Sequence, residues 1–387
     1  MHSLNIGIVG GGIGGLAAAN ALQQAGHVVT VYEQSRQYLR VGADINLTPN
    51  AVRALDGLGA SIAQAVRASA ARPTHRISRT WDTGEETSRL PMGDEAERRY
   101  GAPQLTIHRA DLLAALAEGF SAGRVLFGKR LAAIEPGPGA ALQLRFADDS
   151  RSAPLDVLVG ADGIHSAVRA ALFGEHGGAA APRFTGLVAF RAVVPTERLR
   201  QLPDIGAFTK WWGPSSHSQI VTFPLNQGRD TFVFATTAQD SWHEESWTTE
   251  GDVQELRRCY ADFYPDAQAL LAACDSVLKT ALYERDPLPD WSVGAATLLG
   301  DACHPMMPFM AQGAGSAIED AVVLSRHLQG VAPAEVAQAL QAYQQDRQER
   351  ASRIQLGSRG NEWLKAGGNA DWVYGYDAWA VPLAAHG

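Results

Sequence analysis

The sequence predicts a mixed α/β protein: a Rossmann-like dinucleotide-binding domain, interrupted by a domain with a mostly antiparallel sheet and followed by long C-terminal helices. Three observations predict it. Residues 4–33 read as strand, glycine turn, helix and second strand. Short buried-strand patterns return much later, at Leu155–Gly160 and Ala295–Leu299. Between these, from Arg183 to Phe234, apolar and polar residues alternate as they do in an antiparallel sheet with one covered face.

The opening unit carries most of the argument. Leu4–Val9 is an apolar strand, and Gly10, Gly12 and Gly15 then supply G-x-G-x-x-G. Leu16–Ala25 is rich in helix formers, Gly26 stops it, and a second strand from His27 ends at Glu33. An acidic residue about twenty positions after the glycines is what the dinucleotide fingerprint requires. Gly10 permits the tight turn, Gly12 admits a pyrophosphate, and Gly15 lets helix and strand approach. Ile13 stands within the glycine turn, just ahead of a helix N-terminus whose unpaired N–H groups and partial positive charge suit phosphate. Glu33 can accept hydrogen bonds from a ribose diol.

A turn-rich loop, Val41 to Asn50, leads into a helix over Ala51–Leu58, with Asn50 expected as its N-cap and Gly59 as its stop. Strands are expected from Arg76 to Leu90 and a helix from Leu112 to Phe120. Val125–Phe127, Leu131–Ile134 and Leu142–Phe146 read as a small sheet, turned at Gly137-Pro138-Gly139. Val253–Leu271, Ser316–Leu328 and Ala334–Leu364 read as helices, the last a surface helix charged on one face. The expected boundaries are 1–75, 103–175 and 284–330 for the discontinuous nucleotide domain. Residues 76–102 and 176–283 are assigned to the substrate domain, and 331–387 to a helical tail.

Composition excludes several classes. A net charge of −8 without long single-sign runs argues against nucleic acid or an anionic membrane surface. No apolar run reaches the length of a spanning helix. Cys259, Cys274 and Cys303 are odd in number and lie in no metal-ligand spacing, so reduced thiols in a cytoplasmic protein are expected, with no metal.

Three separated motifs then stand together: the glycine turn, Asp162-Gly163 with Ser166, and Gly300-Asp301 with Pro305. The trio resembles the single-component FAD-dependent aromatic hydroxylases, the family of 4-hydroxybenzoate and salicylate hydroxylases. The resemblance implies that fold and a tightly, non-covalently held FAD. It also implies NADH or NADPH as transient reductant, O2 as co-substrate, and a flavin C4a-hydroperoxide that hydroxylates a ring. No second G-x-G-x-x-G exists, so the nicotinamide cofactor is expected to dock without a Rossmann site of its own. By resemblance Arg109, Asp162 and Asp301 contact FAD, together with Pro308, Gly313 and Ala314 of the loop expected beside the flavin.

The runs Lys210-Trp211-Trp212, His304 to Gly313 and Trp372 to Asp377 narrow the resemblance to members acting on hydroxypyridine carboxylates, with loss of CO2. Where that branch has a histidine and pocket tyrosines, this chain has Asn46, Val221 and Phe232, which shifts the substrate more than the reaction class. The alternatives are a salicylate-type hydroxylase without pyridine specificity and a non-hydroxylating FAD protein on the same scaffold. A ring hydroxyl is a better electron donor when deprotonated, so a base near neutral pKa is useful. His217 is the first candidate and His304 the second. Asn46, Arg191, Trp212, Phe223 and Met310 are the candidate substrate contacts. Arg191 could pair with a carboxylate or equally hold the domain interface. The expected partners are a small aromatic acid, O2 and NAD(P)H, and the expected state is a monomer or homodimer.

Overall fold

The computed structural model describes residues 2–38, 44–120, 124–139, 141–174, 181–242, 249–361, 363–365 and 369–385. Val41, Gly42 and Ala43 of the expected loop lie outside them.

Two large sheets organise the chain. The first runs, in spatial order, Ser292–Val293, Ala296–Leu298, Val157–Gly160, Asn5–Val9, Val28–Glu33 and Val125–Phe127. Its central pairs are parallel, with Ile8 opposite both Val31 and Val159. Strands covered on both faces need apolar side chains at nearly every position. Ile6, Ile8, Val31, Val157, Leu158 and Val159 are accordingly all at most 1 % exposed. The helices Ile13–Gln24 and Gly313–Leu328 pack together on this sheet through small residues, since a Cβ on Gly14 would lie 3.1 Å from the Ala317 Cβ.

The second sheet has eight strands in the order Glu250–Gly251, Val277–Glu284, Arg183–Pro195, Asp230–Ala238, Gln219–Leu225, Phe208–Trp212, His75–Thr80 and Glu86–Pro91. All its pairs are antiparallel except Phe208–Trp212 with His75–Thr80. One face is covered by the helices Val253–Cys259 and Pro265–Ala272 through Phe190, Trp211, Ile220 and Val233. The other face presents Phe208, Val221, Phe223, Phe232 and Phe234 to Met307 and Phe309 of the loop that leaves the parallel sheet.

Four expectations need correction. Val125–Phe127 joins the parallel sheet beside Val28–Glu33 and not the small hairpin, because the helix Arg109–Gly119 carries the chain across to a parallel edge position. The helix expected over Val253–Leu271 breaks at Tyr260–Tyr264, where Pro265 forces Tyr264 to an extended ψ of 144°. Asn50 is not a cap: the helix is Pro49–Asp56 with Thr48 at its N-cap, and Gly59 precedes the next helix, Ala60–Ser69. The long helix is Val336–Arg359, and its charge is not all on the solvent side, since Arg347 is wholly buried. No helix among the described residues is long and apolar enough to cross a membrane.

Candidate active site

The glycine turn is shaped by contacts as well as by conformation. Gly10 has φ +108°, and a Cβ there would lie 2.4 Å from the Ala161 carbonyl oxygen. A Cβ on Gly15 would lie 2.0 Å from the Gly10 oxygen, so the approach of helix to strand demands glycine. Gly12 differs: a Cβ there meets nothing within 4 Å. The space above it is open, and the N-terminus of the helix beginning at Ile13 faces it without a side-chain cap. Glu33 closes one end, accepting from the Gly11 N–H at 2.7 Å and the Ser35 N–H at 2.7 Å.

Arg109 and Asp301 close the other end. Arg109 opens the helix Arg109–Gly119, and Asp301 stands in the turn Gly300–Ala302. Solvent reaches Asp301, yet the protein crowded around it is enough to raise its pKa, while the same effect lowers that of Arg109. Each opposes the other's shift. The two charges therefore face one another from distant parts of the chain. The helix expected at Ser316 begins earlier, at Gly313, and its first backbone bond runs from Ser316 N–H to Gln312 C=O at 2.7 Å. The N–H groups of Gly313 and Ala314 precede that bond and are the orphan donors of a helix start. Just before them Ala311 holds a left-handed φ of 56°, a strained conformation for a residue with a Cβ, and Pro308 is exposed. Open space over Gly12, two helix starts, an acid at a strand end and the Arg109–Asp301 pair fit an extended dinucleotide such as FAD. Asp301→Ala should therefore lower the bound flavin per chain at least about tenfold under dilution, as loss of a charged hydrogen bond would. Unchanged flavin content would remove Asp301 from the site.

The substrate candidates lie on the inner face of the large sheet. Phe223 is buried, stacked on Phe208 with ring centroids 5.4 Å apart and 4° between planes. Asn46, on the strand Asp44–Leu47, accepts from Gln104 at 2.7 Å, while its Nδ2 has no partner among the described residues. Arg191 donates to Thr280 Oγ1, lies 5.4 Å from the Phe234 ring, and has Asp44 as its nearby counter-charge. Burial pushes the Asp44 carboxyl up to about 7, against the pull of Arg191. Trp212 is buried beneath Lys210. His217 is exposed in the turn between Trp212 and Gln219, and its carbonyl accepts from Thr236 Oγ1 at 3.0 Å.

Two candidates, Met310 and His304, are placed elsewhere, while Asp162 adjoins the glycine turn, its Cα 2.9 Å from where a Cβ on Gly10 would lie, but engages its carboxylate locally. Met310 points away from the sheet, into a cluster with Met92, Ile354, Val373 and Tyr374. The Asp162 carboxylate is used locally, accepting from Ser166 Oγ at 2.5 Å and from the Ala167 and Val168 N–H groups at 2.7 and 3.1 Å, at the start of the helix Ala167–Phe173. His304 is 1 % exposed, and its Nε2 lies 2.6 Å from Asp320. Burial alone would lower its pKa, but Cys303 and Asp320 outweigh that and hold it well above the ordinary value. A histidine that keeps its proton suits an ion pair beneath the loop, not a base near neutral pH.

Sequence reasoning missed the network around that pair. Arg347 Nε donates to Asp320 and Arg347 Nη2 to Glu319, each at 2.8 Å, with all three side chains fully buried. Asn50 donates to Glu319 at 2.7 Å and to Gln312 at 2.9 Å, and the Gly300 N–H donates to Asp320 at 3.0 Å. Both ends of the flavin-side loop are thus tied to one buried charge cluster. An arginine inside a long charged helix gives no sequence signal of burial, so only the isolated Asn50 could have hinted at it. Cys303, His304 and Asp320 have donor atoms within 4.8 Å of one another, but the His304–Asp320 and Arg347–Asp320 bonds already occupy that carboxylate.

Comparison with known proteins agrees with this geometry. A family model described as FAD binding domain matches residues 3–357. A 6-hydroxynicotinate 3-monooxygenase of Bordetella bronchiseptica is 38% identical, over 98% of this chain and 96% of that protein. A salicylate hydroxylase substrate complex superposes with TM-score 0.84 at 26% identity, covering 98% of this chain and 97% of that one. Klebsiella pneumoniae HpxO complexed with FAD and uric acid superposes with TM-score 0.81 at 26% identity, covering 95% of this chain and 90% of that one. The chain belongs to the FAD binding domain family.

Proposed function

We propose that the protein is an FAD-dependent aromatic-ring monooxygenase that uses NAD(P)H and O2 to hydroxylate a hydroxylated aromatic or N-heteroaromatic carboxylate, with loss of CO2 when the attacked carbon bears the carboxylate. The observation that carries this reading is the juxtaposition of a dinucleotide groove with a buried aromatic cluster. The loop that leaves Asp301 supplies Met307 and Phe309 to the same cluster as Phe208, Phe223 and Phe232. FAD, when bound, supplies the oxygen-activating redox chemistry. The chain's own residues do the rest. Gly12 and the helix starts receive the pyrophosphate, and Arg109 and Asp301 fix the dinucleotide. The buried phenylalanines exclude water and hold a flat ring, and the Asn46 amide N–H orients it. His217, in the turn at the edge of the pocket, takes the proton of the ring hydroxyl. The unpaired Cys259, Cys274 and Cys303 support a cytoplasmic setting.

The test is a panel of hydroxypyridine and hydroxybenzoate acids. The purified protein should be yellow, and a true substrate should accelerate NAD(P)H oxidation with oxygen uptake and coupled product, any lost carboxylate being read by mass spectrometry. Stimulated oxidation that yields only hydrogen peroxide with every acid would refute hydroxylation of this class. His217→Ala should lower kcat about 100-fold, the usual scale of general-base catalysis, with flavin content unchanged; loss of the flavin would contradict the assigned role.

A further inference from the structure

One buried cation of the pocket has no counter-charge among the described residues. Lys210, in the strand Phe208–Trp212, is 3 % exposed, and strand alternation puts it on the same face as Phe208 and Trp212. Its register partner is Val221, a member of the buried aromatic cluster. The ammonium nitrogen donates to Asn361 Oδ1 at 2.7 Å, lies 3.5 Å from the Trp212 ring centroid and 6.0 Å from that of Phe309. The charges that act on it are Arg76 and Lys365, both of the same sign. Arg76 is itself 6 % exposed, lies 5.1 Å over the Phe208 ring, and donates to the Trp363 carbonyl at 3.4 Å. Among the described residues no carboxylate pairs with Lys210 or Arg76. Asn361 also donates to the Ser216 carbonyl at 2.6 Å, so one carboxamide ties Lys210 to the turn that carries His217.

A buried ammonium is costly without an anion, and no described residue on this wall supplies one. Arg191, three strands away in the same cross-strand row, already has Asp44 nearby and a bond to Thr280. We propose that Lys210 is the specificity-determining residue of the substrate pocket: its ammonium receives the anionic substituent of the aromatic substrate. Arg76 reinforces the positive field behind it. The substrate then completes an ion pair that the protein leaves half-built. Burial and the two neighbouring cations hold the Lys210 pKa well below its ordinary value in the absence of that anion, consistent with a site that waits for negative charge. The aromatic faces of Trp212 and Phe309 partly compensate the cation until the substrate arrives. This assignment deepens the hydroxylase reading above and rests on it.

The experiment compares acids with their neutral isosteres. Binding of 6-hydroxynicotinate, 4-hydroxybenzoate and their primary amides to the FAD-loaded protein is read from the perturbation of flavin absorbance. The unaltered protein should prefer acid over amide by at least about tenfold, the worth of a charge-assisted hydrogen bond. Lys210→Met should weaken acid binding by about 10- to 150-fold while leaving the amides unchanged. Lys210→Arg should restore part of the acid preference. Lys210→Gln keeps a polar group beside Asn361 and should behave as Lys210→Met does, which guards against a packing failure in the methionine variant. Equal affinity for acid and amide in the unaltered protein would overturn the proposal, as would a Lys210→Gln variant that keeps the acid preference. If the yellow protein binds none of the acids or amides, the hydroxylase reading itself falls. If it binds acids and Lys210 variants leave the ratio untouched, only the assignment to Lys210 falls.

Discussion

Gly12→Leu should yield a folded, colourless protein. Gly12 has φ −75° and ψ −172°, extended backbone that any L-residue adopts, and a Cβ there touches nothing within 4 Å. The polypeptide therefore has no steric reason to resist the substitution. The leucine side chain would fill the space above the helix N-terminus where the pyrophosphate must come close to backbone. Flavin affinity should fall by more than about 1,000-fold, or about 4 kcal/mol, while the thermal transition of the flavin-free protein moves little. Gly15→Leu is the contrasting case, because its Cβ would lie 2.0 Å from the Gly10 oxygen and fold and flavin would be lost together. Flavin absorbance and circular dichroism of the two variants separate these outcomes. A Gly12→Leu protein that stays yellow would show that the dinucleotide does not lie against this turn.

Arg347→Leu should cost about 3–5 kcal/mol of stability, the usual penalty for removing one partner from a buried ion pair. The change leaves Asp320 with His304 and the Gly300 N–H, and Glu319 with Arg350 and Asn50. It should also loosen the loop that leads to Phe309, because Asp320 holds the Gly300 N–H. Urea unfolding of the flavin-free protein measures the first effect. The second should appear as a lower flavin content after dilution. An unfolding midpoint within experimental error of the parent's would show that the cluster is not stabilising.

The same cluster sets an acid limit. Burial opposes ionisation of Asp320, but His304 and Arg347 outweigh it and bring its pKa from 3.8 to about 2. A carboxylate with a depressed folded pKa contributes stability above its unfolded value and loses it as pH falls through the folded one. About 2 kcal/mol should therefore be present above pH 4 and disappear towards pH 2. His304 has the opposite sign: its raised folded pKa stabilises fully below its ordinary value and is lost only as pH climbs through the raised one. Both contributions are present across the interval between those limits.

Much of the dinucleotide half is legible in the sequence. The glycine turn, Glu33 and the late Gly-Asp pair are local patterns in which chain spacing and backbone conformation carry the information. The substrate half was less so. His304 looked like a base because a histidine beside the flavin loop is chemically attractive, and its burial against Asp320 is a contact made by a distant helix. Met310 is an apolar residue of the loop expected beside the flavin, yet a 3-10 turn at Pro308–Met310 sends its side chain and that of Phe309 to different clusters. Asp162 followed its motif, and its own helix start took up the carboxylate.

The sequence by itself determined the FAD scaffold, because tight turns, close helix–strand approach and an acid at a strand end are requirements met within thirty-odd residues. Which charges are satisfied was decided only in three dimensions. Arg347, Lys210 and Arg191 are each an ordinary basic residue in sequence. Tertiary packing surrounds the first with carboxylates, sets the third beside Asp44, and leaves the second without an anion among the described residues. The cost of burying a charge depends on neighbours that the chain brings from far away, and no local pattern records them.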